Sequence, residues 1–192
     1  MINRLFLYWV YGGALAAVLL LLLAPLLVGL WPTALMFTFL LLPIYIFHQY
    51  EEHDNDRFRH FINFFLGKGK EILSPAAIFI INVPGVWGLI ALSLYLACYT
   101  NVGYGLIAVY LVLINGVAHI AHAIIFRSYN PGLISAIFLF FPFGLYTFWQ
   151  IQQAGGGTLF FNGVGLLVAI LFHGAMILYA FWKRNLLLKG SV

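Results

Sequence analysis

Long apolar runs separated by short polar turns repeat along the whole chain. Runs of about 18 or more apolar residues mark membrane-crossing helices, and six such spans fit here. The first covers about residues 5–30 and the second about 33–50, joined by a tight Trp31-Pro32 turn. A polar segment, 51–74, follows. The third span covers about 75–97 and the fourth about 103–126. Tyr129-Asn130-Pro131-Gly132 is a turn, and the fifth span covers about 133–150. A Gly155-Gly156-Gly157 link leads to the sixth, at about 159–182. Pro84-Gly85 inside the third span predicts a kink, because proline removes a backbone donor and glycine weakens the turn. The first run is too long for a signal-peptide core and is followed by Trp-Pro, so it reads as a retained helix. The pattern predicts an all-α polytopic transmembrane bundle, with residues 1–192 as one domain.

Composition agrees with this reading. The chain is 64% hydrophobic and 7% charged, against roughly 25% charged residues in ordinary soluble domains. Its single cysteine, Cys98, excludes an internal disulfide and a Cys-rich metal motif. The placement of charge adds orientation. Arg4 precedes the first span; Arg57, Arg59, Lys68 and Lys70 lie between the second and third; Arg127 lies between the fourth and fifth; Lys183, Arg184 and Lys189 follow the sixth. All nine basic residues therefore fall at one end of the bundle, which by the positive-inside rule predicts both termini in the cytoplasm. A bacterial inner membrane is the expected location. Within 51–74, Phe58, Phe61, Ile62 and Phe65 share one helical face among basic residues, the pattern of an amphipathic helix lying in the interface. It reads as an anchor for the loop, with a lid over a site as the sharper alternative.

Two polar clusters could carry chemistry. His48-Gln49-Tyr50-Glu51-Glu52 closes the second span. Residues three and four apart share a helical face, so a continuing helix would present His48, Glu51 and Glu52 to one point, as one imidazole and two carboxylates suited to a metal. In the fourth span Asn115, His119 and His122 are spaced by four and three. His173 lies in the sixth span and Asn82 in the third. His119 stands eight residues before Arg127, about 12 Å at 1.5 Å per residue, and His173 ten residues before Lys183, about 15 Å. Four spans thus bring polar groups to the same basic-side third of the bilayer, where they are costly unless partnered. The plainer readings are hydrogen-bonded packing for the histidines and a solvated loop for the acidic run. His53, Asp54, Asp56 and His60 read as loop residues.

The string His48-Gln49-Tyr50-Glu51-Glu52 resembles the signature of the HXXEE family of membrane proteins. Asn115 with His119, and the stretch Tyr129-Asn130-Pro131-Gly132-Leu133-Ile134-Ser135-Ala136, are similar to further parts of that family's pattern. The resemblance marks His48, Glu51, Glu52 and His119 as signature positions and implies no particular reaction. His122 and His173 rest on spacing and depth. A looser likeness joins Glu51-Glu52, His119 and His173 to the order of groups in CAAX-protease-like membrane enzymes. That pattern has an arginine four places after the Glu pair and Phe-x-x-x-His; here Arg57 stands one place too late and position 115 is Asn.

These observations lead to an expected metal-dependent membrane enzyme acting on a lipid or other apolar substrate from the cytoplasmic leaflet. His48, Glu52, His119 and His173 would ligate one or two transition-metal ions, with His122 as a further candidate. Glu51 would serve as general base or bridging carboxylate, and Asn115 and Asn82 as supporting polar groups. Zinc would suit hydrolysis or transfer, slightly preferred over oxidation by two irons held in a helical bundle. The alternative is an ion- or proton-coupled transporter using the same cluster, although the opposite turns offer little besides Gln150, Gln152 and Gln153. A structural or assembly subunit, with the cluster as helix glue, is the third reading. Membrane lipids are the expected surroundings and no nucleic acid is expected as a partner.

Overall fold

The computed structural model describes residues 2–189, in which the regular elements are helices. They are α1 (Ile2–Leu23), α2 (Thr33–His53), α3 (Arg57–Phe65), α4 (Pro75–Ile80), α5 (Gly88–Tyr99), α6 (Leu106–Phe126), α7 (Leu133–Ser135), α8 (Phe141–Gln153) and α9 (Leu159–Lys189). A π-helical turn, Ile81–Trp87, joins α4 to α5, and another, Ala136–Phe140, joins α7 to α8. Six helical segments are long and apolar enough to cross a membrane: Ile2–Leu27, Thr33–Phe65, Pro75–Tyr99, Val102–Phe126, Leu133–Gln153 and Leu159–Lys189.

Local sequence explains where these segments begin and bend. Ser74 caps α4, its Oγ accepting from the Ala77 amide at 3.2 Å, and Pro75 follows where no intrahelical donor is needed. The kink expected at Pro84-Gly85 is the Ile81–Trp87 π-turn, which absorbs the missing donor by widening the helix. The second span exceeds its expected end at Tyr50: α2 runs on to His53, carrying Glu51 and Glu52 on its last turn. Its 21 residues span about 31 Å at 1.5 Å per residue, close to a hydrocarbon core. The chain then breaks direction at Asn55 and Asp56, both left-handed (φ 51° and 62°), before α3 begins. The sixth span likewise exceeds its expected end, reaching Lys189.

Packing is inverted relative to a soluble protein. Large apolar side chains such as Leu15 (75% exposed) and Leu159 (90% exposed) point outward, as a lipid-facing surface requires. The central core gathers Leu41, Ile44 and Tyr45 of α2, Ile90 of α5, Val109 and Val112 of α6, Phe140, and Ile151 of α8. A second cluster, built on Trp9, Val10, Ile72, Leu73, Ile78 and Ala180, lies at the basic end. Small residues permit close helix contact: a Cβ at Gly165 of α9 would meet the Leu106 carbonyl oxygen at 2.7 Å.

The segment after α2 folds back over that basic end. Asn63 on α3 holds the returning loop, its Oδ1 accepting from the Ile72 and Leu73 amides (2.9 Å each) and its Nδ2 donating to the Leu73 carbonyl at 3.1 Å. Arg59 bridges Asp56 and Glu71. Three residues of the amphipathic face read from sequence are turned inward: Phe58, Phe61 and Ile62, joined by Leu66, form one wall of a cavity of about 350 Å³, whereas Phe65 stays 52% exposed.

Candidate metal centre

Because α2 continues past Tyr50, His48 and Glu52 share a face four residues apart. His48 Nε2 lies 3.7 Å from Glu52 Oε2, and His119 of α6 brings its Nε2 to 3.7 Å from Glu52 Oε1. The two rings meet edge-on with centroids 4.9 Å apart. All three side chains are buried. One ligand atom from each of His48, Glu52 and His119 falls within 4.8 Å of the other two.

The opposite edge of each ring decides what the converging atoms are. Asn130 Nδ2 donates to the His119 carbonyl at 3.0 Å, which identifies its other amide atom as oxygen. That oxygen only accepts, so His119 Nδ1 carries the proton in their 2.6 Å bond. Ser135 Oγ donates to the Gly132 carbonyl at 3.2 Å and so accepts from His48 Nδ1 at 2.9 Å. With the proton held on Nδ1, each ring in its neutral form turns a lone pair on Nε2 toward the Glu52 carboxylate. A separation of 3.7 Å is too long for a hydrogen bond. It is near the roughly 3.4 Å between two atoms each about 2.0–2.1 Å from a shared tetrahedral ion. Three buried acceptors facing one another repel unless a proton or a metal cation lies among them, and His48 Nε2 has no hydrogen-bond partner. The donor set fits a transition metal, with outer groups orienting the imidazoles as in known metal sites.

Gly132 closes one side of this centre. It takes φ +96°, and a Cβ there would stand 2.7 Å from His119 Cε1 and 2.8 Å from His48 Cε1. The other side opens on the cavity, which Glu52, His119 and Asn130 help to line.

The remaining candidates fall in different places. Glu51 leaves the converging group: its Oε1 accepts from Tyr129 Oη (2.8 Å) and the Ile134 amide (3.2 Å), and its Oε2 from the Ser135 amide (2.7 Å). It thereby ties the end of α2 to the start of α7 and to the residue that orients His48. Outside the spans, Tyr129 is pushed up to about 12, by burial first and then by its bond to Glu51. His173 and His122 line the same cavity but stand outside the converging group. His173 Nδ1 donates to the Ala169 carbonyl at 2.8 Å, and His122 packs its ring on Phe61 and Phe126. Asn115 also lines the cavity. Asn82 accepts from Gln49 Nε2 at 2.8 Å, and Gln49 Oε1 accepts from Trp87 Nε1 at 2.6 Å, a relay that fixes α2 against the third span.

The largest departure from the sequence reading is His53. Read as a loop residue, it is buried at the end of α2, with its ring between Trp9 and Phe58. Its Nε2 is 3.2 Å from Glu52 Oε2, at an angle that makes no hydrogen bond. Asn130, which orients one imidazole, is legible in the sequence only as a turn residue, and Ser135, which orients the other, only within the family-like stretch 129–136. Asn130 stands 11 residues from His119 and Ser135 87 residues from His48, so no local spacing gives a sign of either pairing.

A family model described as a protein of unknown function with HXXEE motif matches residues 39–147, more than half of the chain. The chain belongs to that family, and the converging residues of α2 are the first and last positions of its motif. Neither a curated protein nor a solved structure matches the chain. The likeness to CAAX-protease-like enzymes is not borne out: the family match is to HXXEE, and Glu51 and His173 are not drawn into one set with His119.

Proposed function

We propose that this HXXEE-family chain is a metal-dependent membrane enzyme that acts on a lipid or other apolar substrate. The observation that carries the reading is the pair of Nε2 lone pairs, from His48 and His119, turned on the buried Glu52 carboxylate beside a mostly apolar cavity. Two histidines and one carboxylate with an open side are the ligand set of zinc hydrolases and also of mononuclear iron oxygenases. Three converging ligands suit one ion. Zinc, and hydrolysis or group transfer, is the preferred assignment; a bound ion would supply Lewis acidity at the cavity wall.

The protein's own residues have distinct parts in this reading. Asn130 and Ser135 hold the proton on Nδ1 of each imidazole. Glu51 is a positioning residue, acting on His48 through Ser135, in place of the general-base role expected from sequence. His53, with Nε2 at 3.2 Å from Glu52, is placed to take or return a proton beside the carboxylate. By the positive-inside rule the site faces the cytoplasmic leaflet, in what we take to be a bacterial inner membrane. The packed apolar core around Leu41, Val109 and Val112 lies between the cavity and the far end of the bundle, which favours an enzyme over a transmembrane pathway.

Comparison of whole-membrane lipid profiles tests the reading. Cells expressing the natural chain should lose one lipid class and gain another, and His119→Ala should abolish both changes. Identical profiles with and without the natural chain, under zinc and iron supply alike, would contradict it.

A further inference from the structure

Beside the unpartnered nitrogens of His53 and His122, two further polar atoms of the cavity lining are not used by the metal centre. Asn115 Oδ1 and His173 Nε2 have no hydrogen-bond partner among the described residues, and both residues line the cavity. Both can accept a hydrogen bond, Asn115 through the Oδ1 end of its amide. His173 Nδ1 donates to the Ala169 carbonyl, which leaves the lone pair of the neutral ring on Nε2. His173 is only 8% exposed. An orphaned acceptor at such a site calls for an explanation, because buried polar groups are almost always paired.

Their position suggests what pairs with them. Asn115 stands one turn from His119 on α6, about 6 Å along the axis, on the side away from Arg127. The apolar walls lie nearer the basic end: Phe58, Phe61 and Ile62 on α3, and Met176, Ile177 and Phe181 on α9. Ile177 (56% exposed) and Phe181 (43% exposed) also reach the outer surface of the bundle, so the apolar part of the cavity borders lipid. A volume of about 350 Å³ falls within the ~300–1,000 Å³ of small-molecule sites.

We infer that Asn115 and His173 form a hydrogen-bond-accepting subsite that selects amphiphiles bearing an O–H or N–H group, whose apolar part lies between α3 and α9. The substrate class rests on the enzyme reading above; the subsite itself needs no metal. A pocket built to accept a hydrogen bond discriminates strongly against an analogue that lacks the donor, because its own buried groups are then left unpaired.

Binding of 1-dodecanol and of its methyl ether, at matched membrane concentrations, to the full chain in lipid nanodiscs tests the subsite. The alcohol should bind at least about tenfold more tightly than the ether. His173→Phe and Asn115→Leu should each reduce that preference, and the double variant should remove it. His173→Gln, which keeps an acceptor, should retain most of it and shows that the position tolerates substitution. His119→Ala should lose metal yet keep the preference, so failure of the metal reading leaves this result intact. Equal binding of the two probes by the natural chain, or an undiminished preference in both His173→Phe and Asn115→Leu, would overturn the inference.

Discussion

His119 and Asn130 hold each other twice, through a 2.6 Å bond between Nδ1 and Oδ1 and a 3.0 Å bond from Nδ2 to the His119 carbonyl. The second bond orients the amide, and the amide then sets the tautomer of the ring. Asn130→Leu removes both. Metal affinity should fall about 10- to 100-fold, as for other outer-sphere partners, when read by chelator competition. An unchanged affinity would reduce Asn130 to a turn residue.

Gly132→Ala should be more severe. The added Cβ would press on both imidazoles, at 2.7 and 2.8 Å from their Cε1 atoms, in a backbone conformation (φ +96°) that side chains rarely adopt. Loss of metal binding with retention of helical circular dichroism is the expected result. Gly29, also at positive φ but with open space around its Cβ position, is the control: Gly29→Ala should keep its metal.

How far the sequence reached can be argued from these residues. The spans follow from hydropathy because apolar length alone distinguishes a membrane helix. Their ends do not, since the last turn of α2 is as polar as a loop: Glu51, Glu52 and His53 are written alike and face three different environments, Glu51 half-buried and the other two buried. Helical spacing brought His48 and Glu52 together correctly. It overstated Glu51, because a carboxylate 100° away on the helix met the free amides opening α7. His53 was misjudged because burial under Trp9 and Phe58 depends on α1 and α3 packing, which no local pattern reports. The kink at Pro84 was legible, whereas the π-turn at Ala136–Phe140 was not read, although Pro142 lies two residues beyond it and its missing donor falls on that turn.

Glu51→Gln should separate positioning from ligation. The amide keeps the shape but replaces an acceptor oxygen with a donor, so one of Tyr129, Ile134 and Ser135 loses its partner. A loss of about 1–3 kcal/mol in stability is expected, with metal stoichiometry retained. Complete loss of metal in Glu51→Gln would instead make Glu51 a ligand.

The same contact has a pH signature. Tyr129 ionises near pH 12, raised by burial and then by its bond to Glu51 and that carboxylate's charge, against an ordinary value of about 10. A raised tyrosine pKa favours the folded state in full below about pH 10, and the contribution is lost as pH climbs toward 12. Comparing ultraviolet titrations of the natural chain and Glu51→Gln should show one tyrosine among the late-ionising ones moving down in the variant, but not fully to the ordinary value. No movement would mean that burial alone sets it.

Orientation is open to direct labelling. In a Cys98→Ala background, cysteines placed at the exposed positions 101 and 154 should react with an impermeant reagent outside intact cells. Cysteines at 68 and 127 should react only after the cells are opened. External labelling at position 68 would reverse the assignment of the basic end to the cytoplasm.

The central claim is that the lone pairs of His48 and His119 face Glu52 because a metal ion belongs among them. Elemental analysis of the purified full chain, before any chelator, measures this most directly. The account predicts about one transition-metal ion per chain, set by three converging ligands, lost in His48→Ala, Glu52→Gln and His119→Ala and kept in His122→Ala and His173→Gln. A natural chain without metal after purification from zinc- and iron-replete cells, or full metal retention in all three ligand variants, would contradict it.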